Sequence, residues 1–321
     1  MSDMPGKVHP DDLLTHVFDR TGCDDKAVLQ GPAAGEDAAA IDVTETPLVV
    51  SSDPISLAAS HVGTLGVHIA CNDVAVAGAD PRWLTVVLLL PDGSDLDRIT
   101  ADLDAAAKDI GVAIVGGHSE YVDALDRPIA SITAMGTGDF VPTGGASPGE
   151  RIVLTKGAGI EGTAILASDF GEQFGIDEGL RSRAEAFLEE VSVVPDARIL
   201  RESATAMHDP TEGGIMAGLQ ELADASGIRL AVDREAIPIR EETAHLSEAA
   251  DVDPLRIFGS GSVVATVPDD YAESAVETLG ENGIEAAIIG TVESGDPTLE
   301  LDGERIEETV QDALYPLWAD K

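Results

Sequence analysis

Hydrophobic and polar positions along the chain fall into short blocks whose period changes repeatedly. Leu13 to Phe18 is a short amphipathic stretch, expected to cap the first domain. Leu48–Ser52 is an apolar run that ends on Asp53 and reads as a strand. From His61 to Gly78 the pattern turns helical, with Val62, Leu65, Ile69 and Val76 on one stripe and Asp80-Pro81 as the expected stop. Trp83–Leu90 reads as a buried strand closed by Pro91-Asp92-Gly93. Leu96, Ile99, Leu103, Ala106 and Ile110 form a second helical stripe that Gly111 ends. Val112–Val115 and Ile129–Thr137 are further strands.

Pro142–Gly149 (PTGGASPG) is rich in Pro, Gly and Ser and is the expected boundary between domains at 1–141 and 150–321. Beyond it strands and helices alternate: a strand at Arg151–Thr155, a helix at Gly213–Ser226 and a strand at Ile228–Val232. Ser262–Val267, a helix over Asp270–Leu279 and Ala286–Val292 close the chain's second half. Both halves read as strand, helix, strand, strand, which predicts two α+β domains.

Composition supports a packed, mostly aliphatic core: apolar residues make up 44% of the 321 and aromatic ones only 3%. Charge changes the picture more. Sixty acids against 19 bases give −41, and only five of the bases are Lys. Such a surface repels itself at low ionic strength and is relieved by salt, so the chain reads as halophilic. The same charge, with no run of Lys and Arg, argues against nucleic acid as a partner. Cys23 and Cys71 have no metal-ligand spacing. The segment Met1 to His9 lacks a signal-peptide core, and no apolar run approaches membrane-spanning length, so a cytoplasmic protein is expected.

Four acidic positions stand where apolar structure meets a turn or a helix: Asp37, Asp53, Asp73 and Glu120. Mg²⁺ takes hard oxygen ligands and keeps part of its water shell, so carboxylates together with substrate phosphates make its usual site. Gly116 and Gly117, just before His118 and Glu120, would let a backbone approach phosphates. In a chain this acidic, a carboxylate at a loop is also ordinary surface decoration. Asp73 differs, because a charge among the small apolar residues of Ile69–Gly78 is costly if buried without a partner.

These segments, taken in order, resemble the ATP-binding superfamily of aminoimidazole ribotide synthetase, the PurM-like proteins. That superfamily also holds thiamine-phosphate kinase, selenophosphate synthetase and the hydrogenase maturation protein HypE. Glu36-Asp37-Ala38-Ala39 resembles its N-terminal acidic motif and Ser52-Asp53 its strand-end aspartate. Asn72-Asp73-Val74-Ala75 with Gly78-Ala79-Asp80-Pro81 resembles its Asn-Asp helix. Gly116-Gly117-His118-Ser119-Glu120 resembles its Gly-Gly phosphate and metal loop. His208-Asp209-Pro210-Thr211-Glu212-Gly213-Gly214 is similar to the His-Asp-Pro-Thr-Arg-Gly-Gly segment of HypE.

The resemblance implies a homodimer whose N-terminal sheets pair into a barrel, and a C-terminal α/β-sandwich domain that binds the acceptor. It implies ATP and Mg²⁺ as cofactors, with γ-phosphoryl transfer to an oxygen or amide of a small molecule or partner protein. Asp37, Asp53, Asp73 and Glu120 would hold the metal; Gly116, Gly117, His118 and Asn72 would meet the nucleotide. Glu120, His118 and Asp209 would carry catalysis. Lys156-Gly157, between a strand and a helix, offers an anion site or a plain turn, and Gly259-Ser260-Gly261-Ser262 an acceptor loop or a flexible turn. The match departs from HypE in lacking its C-terminal cysteine, the thiol that carries the carboxamide. It departs from selenophosphate synthetase around Gly22-Cys23-Asp24 and from thiamine-phosphate kinase after the Gly-Gly. The acceptor therefore stays open, and so does a nucleotide-binding accessory role without catalysis.

Overall fold

The computed structural model describes residues 13–14, 23, 25–33, 35–43, 45–56 and 61–319. Met1 to His9, and all of the Leu13 to Phe18 stretch beyond Leu14, lie outside them. The chain divides into two compact units, one built from residues 25–31 and 37–140, the other from 32–36 and the chain after 140. Glu36 and Asp37, neighbours in one motif, belong to different units. Glu36 faces the Thr143 and Gly144 N–H groups, with its carboxylate oxygens at 3.4 Å from each.

The N-terminal unit is a mixed sheet with helices on one face. Its elements are β1 (Val28–Gln30), β2 (Ala39–Ile41), β3 (Leu48–Ile55), α1 (Val62–Val76), β4 (Asp80–Leu90), α2 (Leu96–Ile110), β5 (Ala113–Tyr121) and β6 (Ile129–Thr137). The strands lie in the order β1-β2-β3-β6-β4-β5, antiparallel except for the parallel pair β4–β5. α1 is apolar almost all round, as a helix packed on both sides must be. It sits against β3, β6 and α2, with only Thr64 and Ile69 outside its buried set. α2 shows one apolar face, starts on an Asp95 carboxylate that accepts the Arg98 N–H at 3.0 Å, and ends at Gly111 with φ 78°.

Three strands run longer than the apolar pattern suggests, β5 by continuing to Tyr121. β3 continues through Asp53-Pro54, where only β6 pairs with it. β4 begins at Asp80 and takes Pro81 at a bulge, the place where a missing N–H is tolerated.

The C-terminal unit is a seven-stranded sheet covered by helices. Its strands are β7 (Arg151–Thr155), β8 (Ala206–His208), β9 (Arg229–Val232), β10 (Val264–Val267), β11 (Ala286–Glu293), β12 (Thr298–Leu301) and β13 (Glu304–Ile306). They run in the order β13-β12-β9-β11-β7-β10-β8. The helices used below are α3 (Ile160–Ile165), α4 (Glu178–Glu185), α5 (Val194–Leu200), α6 (Gly214–Ser226), α7 (Glu241–Ala250), α8 (Asp269–Glu281) and α9 (Tyr315–Ala319). Ile152, Leu154, Ile215, Leu219, Leu222 and Val264 pack α6 onto this sheet with no exposed surface. A second cluster joins Phe170, Phe258, Leu314 and Tyr315. Among the described residues no helix is long and apolar enough to cross a membrane.

Candidate functional site

Side-chain direction follows from register. On β3, Val49, Ser51 and Ile55 are buried and Asp53 is half-buried on the same face, because alternate residues point the same way. That is the face α1 covers. The Ser51 hydroxyl donates to the Asp73 carboxylate, so helix and strand bring Asp73 above β3 within one residue pair of Asp53. Asp73 keeps 5% of its surface exposed, and a hydroxyl donor compensates part of the desolvation that its burial costs. Asp37 lies two residues before β2, the strand that pairs with the start of β3. Asn72 is fully buried beside Asp73, which corrects the expectation of direct nucleotide contact: it has no surface to offer.

The Gly-Gly segment is not a loop. Gly116 to Glu120 continue β5, because β4 runs on to Leu90 and supplies a parallel partner along the whole length. Gly117, opposite Val86, must be glycine, since any Cβ there would overlap the Val86 carbonyl oxygen. Gly116 by contrast has nothing near it and leaves the backbone open. His118 and Glu120 pair with Val87 and Leu89, on the sheet face away from α1, and His118 Nε2 lies 3.3 Å from Glu120 Oε2, both exposed. β5 is three strands from β3, about 14 Å by strand spacing. One chain therefore brings Asp53 and Asp73 together and leaves His118 and Glu120 on the other face and the far edge. Among the described residues no three His, Cys, Asp or Glu side chains gather closely enough to hold a metal ion.

The second-unit candidates lie in saturated surroundings. Lys156 is buried, and its ammonium meets Glu190 O at 3.0 Å, Ser192 O at 2.7 Å and Asp196 Oδ2 at 3.2 Å. Two hydrogen bonds and this ion pair engage the ammonium, so the reading of Lys156 as an anion ligand gives way to a structural one. Burial pulls its pKa below the ordinary lysine value, against the pull of Asp196.

The neighbouring N–H groups are equally committed. Gly157 donates to Thr155 O, Ala158 to Pro238 O, Glu161 to Ser260 O and Gly162 to Phe258 O. The Gly157 N–H is spent inside the turn into α3, which also corrects Gly157 as an anion donor. Ser260 and Ser262 of the expected acceptor loop are buried in the same network, with Ser262 Oγ donating to Gly157 O at 2.5 Å. Asp209, just after β8, is 2% exposed and has partners in the chain. His208 is a satisfied core histidine, 2.8 Å from Glu221.

Sequence reasoning missed an acidic group at the entry to α6. Asp312 accepts the Gly213 N–H at 2.8 Å and the Leu314 N–H at 2.9 Å, and burial pushes its carboxyl up to about 7. Glu161 is raised by burial too, and the Tyr315 phenol by burial and by Glu212. Nothing in the pattern around Asp312 marks it, because Leu314 makes only a local turn bond and Gly213 stands 99 residues earlier in the chain.

A mixed sheet with an aspartate-bearing helix on one face and a larger α/β unit after it fit the AIR synthase related proteins, and the chain belongs to that family. The N-terminal domain of the family matches residues 24–137 and its C-terminal domain residues 147–302. The chain is 36% identical over 252 residues to carbamoyl dehydratase HypE of Azotobacter vinelandii, covering 74% of this chain and 72% of that protein. A crystal structure of hydrogenase maturation protein HypE in complex with ATP superposes with a TM-score of 0.66 at 28% identity, covering 87% of this chain and 91% of that one. A structure of AaThiL complexed with AMPPCP and TMP shares the fold, with a TM-score of 0.76 at 19% identity over 94% and 95% of the two chains.

Proposed function

We propose that this protein is a Mg²⁺-dependent, ATP-consuming enzyme that transfers the γ-phosphoryl group to an oxygen of an amide or carbamoyl acceptor, releasing ADP. The observation that carries this reading is the Ser51–Asp73 contact, which holds a buried carboxylate beside Asp53 in a chain so similar to a carbamoyl dehydratase. Mg²⁺ needs only one or two protein carboxylates beside phosphates and water, and the oxygen donors of Asp53 and Asp73 fit that demand. When bound, the ion neutralises charge on the transferring phosphoryl group.

Asp37, two residues before β2, would complete the set together with Glu120 supplied by a second copy. All nine residues of β5 are exposed, including Ile114, Val115 and Tyr121. An open edge of this length invites pairing, so the β5 edge is the expected dimer contact, and Glu120 meets the aspartates only where that edge reaches the β3 end of the partner's sheet. In that arrangement His118 and the open backbone at Gly116 contact phosphate. Asp209, buried just after β8, would bind the ion or orient the acceptor. The enzyme works in a salt-rich cytoplasm, where its charge is screened.

The test is ADP release by the purified protein in molar KCl with carbamoyl and amide acceptors, compared with Asp73→Asn. The expected loss is at least about a hundredfold with the fold retained by circular dichroism. Equal turnover in a folded variant removes Asp73 from the site, and failure of the wild-type protein to bind ATP ends the reading.

A further inference from the structure

The C-terminal unit holds a cavity of about 480 Å³, built around Lys156. The Lys156 N–H donates to Glu285 O at 2.6 Å, and the Ala158 N–H to Pro238 O at 2.9 Å. The ammonium grips the segment at Glu190 and Ser192. Three separate wall segments are thus tied to one turn. Lys156 itself sits at φ 58°, a left-handed conformation unfavourable to a residue with a Cβ, and carries a buried charge. Strain and buried charge persist where the surroundings over-determine them, and they concentrate at ligand clamps.

The lining is of both signs. Arg240 stacks on Phe187, with its guanidinium carbon 4.8 Å from the ring centroid, and clasps the Glu190 carboxylate through both Nη atoms at 2.8 Å. A guanidinium has five N–H donors, so this fork leaves others unspent, and the side chain is 21% exposed. Glu242 is engaged by Arg183 at 2.7 Å, whereas Glu241 and Glu285 stand exposed. A bare anion entering here meets glutamates, and a bare cation meets Arg240 above Lys156. A molecule with both charges satisfies the two sides together.

We propose that this cavity is a binding site for a small zwitterion of the α-amino acid class. Its carboxylate takes the unspent donors of Arg240, its ammonium takes Glu285 and Glu241, and its side chain lies against Ile284. Every lining residue belongs to the C-terminal unit, so the proposal stands apart from the nucleotide reading.

Thermal unfolding of the full chain in molar KCl, with each standard α-amino acid in turn, tests it. Butyrate and butylamine serve as single-charge controls. At least one amino acid is expected to raise Tm saturably, and neither control does. Glu285→Gln is expected to weaken that binding at least about tenfold, the scale of one lost charge-assisted bond. Because Arg240→Gln strands Glu190 and can fail to fold, Ile284→Trp is the second variant: it fills the cavity, keeps the Arg240–Glu190 pair, and is expected to abolish the shift. The proposal is overturned if no amino acid shifts Tm, if a control does so equally, or if binding survives Ile284→Trp.

Discussion

The two units use similar motif residues in opposite ways. In the N-terminal unit, Gly116, His118 and Glu120 stand on an open edge strand with space around them. In the C-terminal unit, Lys156, Gly157 and Ser262 have the same kinds of donors, and nearly all of them are spent inside the fold. A glycine-rich turn beside a lysine reads as an anion site only if its N–H groups remain free. The difference between the units is thus one of hydrogen-bond occupancy, invisible in residue type.

The largest expected effect that sharpens this contrast is the hundredfold loss of turnover in Asp73→Asn. Next is Lys156→Met, which leaves Asp196, itself fully buried, without its counter-charge. A loss of about 3–5 kcal/mol is expected, seen as a lowered Tm in a salt-matched melt. A variant with wild-type Tm and weakened ATP binding would instead restore the phosphate reading of the loop.

Asp312 probes the same saturated region through pH. Its carboxyl keeps its proton to about 7 in the fold, while the unfolded chain loses it near the ordinary value of 3.8. The folded state then binds more protons across that window, so this group's contribution to stability falls as pH rises from about 4 to about 7 and is level above. The span corresponds to roughly 4 kcal/mol. Asp312→Asn is expected to flatten the slope of Tm against pH over that interval, and an unchanged slope would place the buried proton elsewhere. The smallest effect concerns the thiols. Burial pushes Cys71 up to about 12, whereas Cys23 is exposed. A thiol reagent at pH 8 should label one cysteine quickly in the native protein and the second only on unfolding; two fast thiols would show that α1 opens readily.

Legibility in the sequence followed the range of the interaction. The periodicity at Val62–Val76 and Leu96–Ile110 is local, set by which residues share a helical face, and the helices stand where the stripes place them. The oddity of Asp73 was legible for the same reason, since a carboxylate in an apolar stripe breaks a local rule. Its partner Ser51, 22 residues earlier, was not. The strand at Gly116–Glu120 was missed because two glycines signal a turn locally, and only pairing with β4 holds them extended. Lys156 failed in the other direction: its acceptors at Glu190, Ser192 and Asp196 come from a short 3-10 helix, the residues after it and α5, with no pattern linking them to β7.

By itself the chain determined its α+β class, its two N-terminal helices, its net charge of −41 and the order of motifs that marks the family. Each of these depends on residue type, spacing or summed charge, which need no distant partner. Tertiary structure alone decided which polar groups remain available. It put Asp53 and Asp73 on one face of a sheet and Glu120 on the other, and it consumed the donors of Lys156. Availability depends on what the rest of the fold places within about 3 Å of an atom, and residues far apart in the chain set that distance.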